Sequence, residues 1–221
     1  MTMAPTTYAP DGSPVEAFAL LPPGPAPDLL DGVLPPAATV LDLGCGAGRI
    51  AHVLHQRGHR VTAVDQCPDM LRHVDPAIEV HLGDIEDLDL RRPFDAVVLA
   101  SFLVNTGDHE QRRQFLSTCA RHVAPAGAVY LQRLDPELVP IAVDAESERD
   151  GVSYAMAEVA HGEDDGRFEA TMCFTIAGRA YAHRYAGEVL DDEALDGALA
   201  AHGLRVTRFL DGQRSWVEAR P

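Results

Sequence analysis

The residues best suited to chemistry lie in one run, Val40-Leu41-Asp42-Leu43-Gly44-Cys45-Gly46-Ala47-Gly48-Arg49. Alternating glycines let a backbone turn tightly and approach a ligand where any side chain would obstruct it. That spacing also suits a dinucleotide, but Asp42, two residues before Gly44, argues for another ligand. A carboxylate there can accept hydrogen bonds from an ammonium group, which a cationic amino-acid ligand carries and a nicotinamide fingerprint rarely requires. Asp65 follows, seventeen residues past Gly48, at the end of a second apolar run. An acid at that point suits a ribose diol, which a carboxylate can grip through both hydroxyls. Gly83-Asp84-Ile85 ends a third run, with a short acid where an adenine amino group could be read. Ala100-Ser101-Phe102 ends a fourth, which would wall the same crevice.

A second group of residues could face a reaction partner. Asn105 and His109 follow the fourth run and Arg133 closes the fifth. In open α/β sheets ligands bind outside the carboxyl ends of the strands, so all three are candidates, with purely structural roles equally open. Further on, Tyr181, His183 and Tyr185 fall at every second position of a strand and so share one face. Two phenols and an imidazole could line a pocket for a flat or weakly polar molecule, with His183 or His109 as proton acceptor. Packing against a second subunit, or a half-exposed sheet, would explain the same face. Other polar residues read as structural. Asp108 is expected to be a helix N-cap, with Gln111 closing a capping box. His52, His55 and His59 are expected on a solvated side, and Glu86-Asp87-Leu88-Asp89 lacks calcium-loop spacing.

The elements that must hold these residues alternate. Thr39–Leu43 and Arg60–Val64 read as strands, with a helix over Arg49–Arg57 between them. Pro68 opens a short helix, Ile78–Leu82 is a third strand, and Phe94–Ala100 a fourth, apolar nearly throughout. A helix from Asp108 to about Val123 leads to a fifth strand, Gly127–Leu134. This alternation predicts a parallel sheet covered on both faces. After Leu134 the period changes: Gly151–Ala160, Arg167–Ala177 and Ala180–Glu188 read as three strands of an antiparallel meander with a turn at 162–166. A helix over Asp191–His202 and a hairpin, Leu204–Leu210 with Ser215–Ala219, end the chain. Ahead of all this, prolines at 5, 10, 14, 22, 23, 25, 27, 35 and 36 leave room only for short helices near Val15–Leu21 and Asp28–Val33. The fold class expected is α/β, doubly wound and Rossmann-like, with a mostly parallel seven-stranded sheet and an antiparallel β insertion. Four segments follow: 1–38 as an N-terminal lid, 39–134 as the ligand-binding core, 135–188 as the insertion on the acceptor or dimer side, and 189–221 completing the core sheet.

Three motifs in this order, VLDLGCGAGR, VTAVDQCPDML and GDIEDLDLRRPFDAVVLASFLVN, resemble the class I S-adenosylmethionine-dependent methyltransferases, most of all the small-molecule enzymes of actinobacteria. The likeness covers about Thr39 to Leu134. It implies that Asp42, Gly44 and Gly46 hold the methionine end, Asp65 the ribose, and Asp84 with Ile85 the adenine, with Cys45 (its thiol given no chemistry), Gln66, Ala100 and Ser101 also expected among the cofactor-binding residues. Tyr8 would close over the methionine end. The implied reaction is methyl transfer from S-adenosylmethionine to an O, N or C nucleophile of a small metabolite. The alternatives are a cyclase or decarboxylase of the same fold, or a non-catalytic binding module.

Composition bears on the partners. The 221 residues carry 18 basic against 34 acidic side chains, for a formal charge of −16. That field repels phosphate backbones and anionic lipid, so nucleic acid and membrane surfaces are not expected as partners; a homodimer is compatible with the insertion. All basic residues are arginine, which excludes lysine Schiff-base chemistry and a P-loop lysine. Cysteines at 45, 67, 119 and 173 form no CxxC pair, and no metal is expected. With no long apolar run and no leader pattern, a cytoplasmic location is expected.

Overall fold

A computed structural model describes residues 7–134, 146–162 and 166–221. Five strands carry the parallel part of the main sheet: β1 (Thr39–Leu43), β2 (Arg60–Asp65), β3 (Glu79–Leu82), β4 (Phe94–Leu99) and β5 (Val123–Gln132). β1 pairs in parallel with both β2 and β4, β2 with β3, and β4 with β5. The C-terminal hairpin of β10 (Arg205–Phe209) and β11 (Trp216–Arg220) adds antiparallel to β5. The resulting order, β10-β11-β5-β4-β1-β2-β3, has seven strands as expected. Strand order reverses between β1 and β4, the point at which open α/β sheets bind ligands, outside the carboxyl ends of the strands.

Helices cover both faces because the strands are apolar on both. Val40, Val98, Tyr130 and Trp216 pack with Leu30 of α2 (Ala26–Asp31) and with Ile50 and Leu54 of α3 (Arg49–Gln56). Leu41, Leu43, Leu99 and Leu131 pack instead with Phe115 and Leu116 of α5 (His109–His122) and with Leu195 and Leu199 of α6 (Asp192–Ala200). Asp108 caps α5 by accepting the N–H groups of Glu110 and Gln111. The expected capping box does not close, because the Gln111 side chain is held by Thr106 and Glu86 instead. His59, expected on a solvated side, is buried: it accepts the Ala38 N–H through Nδ1 and meets Asp31 through Nε2.

The insertion forms a separate antiparallel sheet of four strands, one more than the three expected: β6 (Glu146–Arg149), β7 (Val152–His161), β8 (Arg167–Ile176) and β9 (Arg179–Glu188). β6 escapes sequence reading because its charged residues carry no apolar alternation, which an edge strand does not require. The start of the insertion, 135–145, and the turn at 163–165 lie outside the described residues. One face of this sheet is closed by α1 (Val15–Leu20) of the lid, where Ala17 and Leu21 pack with Val152, Phe174, Ile176 and Tyr181. Among the described residues, no helix is long and apolar enough to cross a membrane.

Candidate active site

The glycine turn joins β1 to α3. Gly44, Gly46 and Gly48 all have positive φ, which suits glycine far better than other residues. At Gly44 a Cβ would also lie 2.6 Å from Leu103 Cδ1, so that side chain would have to shift to admit one. Leu103 belongs to a single 3₁₀ turn, Leu103–Asn105, that follows β4. Leu103 and Ile85 thus close over the turn from the other side of the crevice.

Asp42 points to the α3 side of β1 and is 2% exposed. Among the described residues its Oδ2 has no hydrogen-bond partner. Burial, reinforced by nearby Asp65, pushes its carboxyl up to about 7, against the opposing pull of Arg49 and the Ala51 N–H. A buried carboxylate with an unused oxygen at a glycine turn fits a cationic ligand group, which would supply the missing counter-charge. Asp65 ends β2 and is tied to the same turn: Oδ2 accepts the Gly46 N–H at 2.8 Å and Oδ1 accepts the Cys67 N–H at 2.8 Å. Each oxygen keeps a lone pair for a ligand hydroxyl. Burial raises this carboxyl too, opposed by those two N–H groups, and Asp11 of the lid raises it further.

The remaining residues of the implied cofactor set are distributed around the crevice. Cys45 donates its N–H to Val64, and burial and the neighbouring acids hold its thiol well above the usual range, so it stays protonated. Gln66 and Asp84 are exposed, while Ile85 and Ala100 are buried. Ser101 has φ 54° and donates its N–H to Gln132 of β5. Tyr8 is 58% exposed and pairs through its backbone with Pro14 in the lid.

The second group separates into two places. Arg133 is fully buried: it donates to the carbonyls of Arg214 and Leu190 and to Asp192, and lies over the Phe209 ring. Three of its five N–H groups are thus held within the chain, two at the start of α6 and one by Arg214, and the buried side chain does not occupy the acceptor-facing position considered above. His109 meets Glu188 at 2.9 Å, and the same carboxylate accepts Arg112 at 2.7 Å. Burial raises Glu188, yet Arg112 and His109 outweigh it and leave the carboxyl below its ordinary value. Asn105, 2% exposed, donates to the Glu188 carbonyl and accepts the Leu134 N–H. Asn105, His109 and Arg112 therefore clamp the insertion where it leaves and rejoins the core.

His183 lies elsewhere, on the lid side of the insertion. Its ring meets Phe18 of α1 edge-on at 5.9 Å and Tyr185 at 5.9 Å, and its Nε2 lies 3.5 Å from Ser13 Oγ. Ser13 and Asp11 carry no motif, and their part in the site emerges only when lid and insertion meet. Arg49, whose charge burial disfavours and Tyr154 and Asp42 support, links the glycine turn to β7 and donates to the Pro22 carbonyl of the lid. A cavity of about 350 Å³ lies away from the glycine turn, against β6–β8, lined by residues that include Glu148, Ser153, Tyr154 and Cys173. Among the described residues no cluster of side chains suits a metal ion.

Comparison with known proteins agrees with this geometry. Residues 40–127 match the methyltransferase domain family. A cypemycin N-terminal methyltransferase from Streptomyces sp is 39% identical over 106 residues, which is 44% of this chain and 42% of that protein. A dTDP-4-amino-2,3,4,6-tetradeoxy-D-glucose N,N-dimethyltransferase from Saccharopolyspora spinosa is 32% identical over 107 residues, 45% of this chain and 41% of its own. The chain thus matches less than half the length of these curated relatives. The crystal structure of DesVI from Streptomyces venezuelae superposes with a TM-score of 0.68 at 25% identity, covering 94% of this chain and 92% of that one.

Proposed function

We propose that this chain, whose residues 40–127 match the methyltransferase domain family, is a class I S-adenosylmethionine-dependent methyltransferase and that it methylates a nitrogen nucleophile of a small metabolite. The observation that carries the reading is Asp42, a buried carboxylate with an unpartnered oxygen at the glycine turn. When bound, S-adenosylmethionine supplies an electrophilic methyl on a sulfonium: the nucleophile's pair bonds the carbon, the methyl–sulfur pair stays on sulfur, and any surplus proton on the nucleophile must be taken up.

The residues divide the work. Asp42 holds the ligand ammonium and Asp65 the ribose hydroxyls, while Gly44 and Gly46 let the backbone come close. Ile85, Asp84, Ala100 and Ser101 line the adenine side. Leu103, α1 and the inner face of the insertion exclude water, which strengthens every electrostatic contact inside. Holding the nucleophile in line is expected to supply most of the acceleration. His183, beside Tyr185 and under the lid, is the proton acceptor in this reading; His109 and Arg133 keep the insertion and α6 in position. A nitrogen acceptor is supported by the two curated relatives named above, which both carry N-methyltransferase names. The −16 charge argues against nucleic acid as the acceptor.

The test is S-adenosylhomocysteine release in the presence of matched panels of small amines and alcohols. Release with amines supports the reading. Release only with alcohols overturns the nitrogen assignment, and cofactor binding without release from any panel or metabolite extract overturns methyl transfer.

A further inference from the structure

We propose that Asp11 and Ser13 of the lid fix His183 of the insertion in its Nε2–H tautomer, leaving Nδ1 as the nitrogen that accepts the substrate's proton. The inference deepens the methyltransferase reading and rests on it for the identity of the proton donor.

The argument is a count of hydrogens. Asp11 accepts twice from Ser13, through Oδ1 from the backbone N–H at 3.0 Å and through Oδ2 from the hydroxyl at 2.9 Å. A serine hydroxyl has one proton, and a carboxylate can only accept. With that proton committed to Asp11, Ser13 Oγ has only lone pairs to offer His183 Nε2, 3.5 Å away. A contact between two acceptors would be repulsive, so Nε2 carries the hydrogen. In a neutral imidazole the other nitrogen, Nδ1, is then the base. Ser13 is 3% exposed, so water does not readily replace either partner. The separation is at the long end of a hydrogen bond, as is common in catalytic pairs without substrate.

The surroundings leave few competing charges. From α1 the imidazole meets Phe18, and Met172 of β8 stands opposite it in register. Tyr185, on the same face of β9, has its phenol pushed up by burial and is neutral at pH 7. Asp11 is thus the charged group that reaches His183 from the lid, through Ser13, and Asp65 lies beyond it. When Nδ1 takes a proton from the substrate nucleophile, Nε2–H remains in place and the imidazolium charge is balanced along Ser13 to Asp11. Asp11 and Ser13 act through His183 and are positioning residues. Ser13 and His183 come from segments 170 residues apart, so the base is in its working tautomer only while the lid is docked.

The test reads the tautomer directly, by long-range proton–nitrogen correlation spectra of the full chain labelled at histidine, with His183→Gln identifying the resonance. The wild type is expected to show Nε2–H. Ser13→Ala should lose that preference, Ser13→Thr should keep it, and Asp11→Asn should weaken it. An Nδ1–H wild type, or a Ser13→Ala spectrum like the wild type, would overturn the proposal; if Ser13→Ala does not fold, the wild-type spectrum decides alone. Calorimetry with S-adenosylmethionine as the probe separates the two readings. Binding retained in the three Ser13 and Asp11 variants is expected, whereas absence of binding by the wild type would remove the methyltransferase reading and leave the tautomer result intact.

Discussion

Asp65 accepts the backbone N–H of Gly46 from nineteen residues away, at 2.8 Å, so the acid proposed to hold a ligand also braces the glycine turn. The carboxyl end of β2 and the glycine turn after β1 are thereby one rigid unit before any ligand arrives. Pre-organisation of this kind lowers the ordering cost of binding.

Removing that carboxylate should therefore weaken the cofactor twice over. A charge-assisted contact to a ligand is worth about 1.5–3 kcal/mol, so Asp65→Ala is expected to reduce S-adenosylmethionine affinity tenfold or more. Titration calorimetry is the check, and equal affinity in wild type and variant would disprove the ribose assignment.

Asp42 makes cofactor affinity depend on pH. Its carboxyl sits at about 7 in the free protein, above the ordinary 3.8. A ligand ammonium favours the ionised form, so binding below pH 7 must expel a proton. Affinity should rise between pH 6 and pH 8, and Asp42→Asn should flatten that rise while weakening binding throughout. A wild-type affinity independent of pH over this range would count against an ammonium at Asp42.

The same group has the opposite effect on stability. Between about pH 4 and pH 7 the folded chain holds a proton on Asp42 that the unfolded chain has released. The folded state binds more protons, so this contribution falls as pH rises through that window and the full penalty stands above pH 7. Asp42→Asn should melt at a higher temperature than the wild type at pH 8, with the difference vanishing near pH 4. Scanning calorimetry at the two pH values measures it.

Arg133 should prove structural. Arg133→Ala strands the buried carbonyl of Leu190 and removes the contacts to Arg214 and Asp192, and a buried acceptor without a partner costs about 1–3 kcal/mol. A fall in chemical stability of about 2 kcal/mol or more is expected, with S-adenosylmethionine affinity retained. A stable Arg133→Ala protein that binds normally but does not turn over would instead assign it to the acceptor.

Deleting residues 1–20 removes α1 together with Ser13 and bares Val152, Phe174 and Tyr181 of the small sheet. Turnover should be lost while the circular dichroism of the seven-stranded core persists. Full activity in the truncated chain would show that the lid is dispensable.

Much of this protein was legible from one dimension. The parallel strands could be read because each is a short apolar run bounded by turn residues, and Asp42, Asp65 and Asp84 could be singled out because ligands of open α/β sheets bind outside the carboxyl ends of the strands. The lid and insertion were harder. β6 has a strand's hydrogen bonds without a strand's composition, and His59 looks solvent-facing by helical period but is captured by Ala38 and Asp31 beyond the helix end. Arg133 and His183 show the sharper division. Arg133 follows the end of β5 and His183 lies in the middle of β9, yet both were candidates in sequence; one donates into a carbonyl from beyond the insertion and the other meets a serine from the N-terminal segment. Local sequence determined which groups could do chemistry, because backbone period and turn chemistry act over a few residues. Which of them are free to do it was decided by partners 57 and 170 residues away, and only the packed chain brings those into hydrogen-bond range.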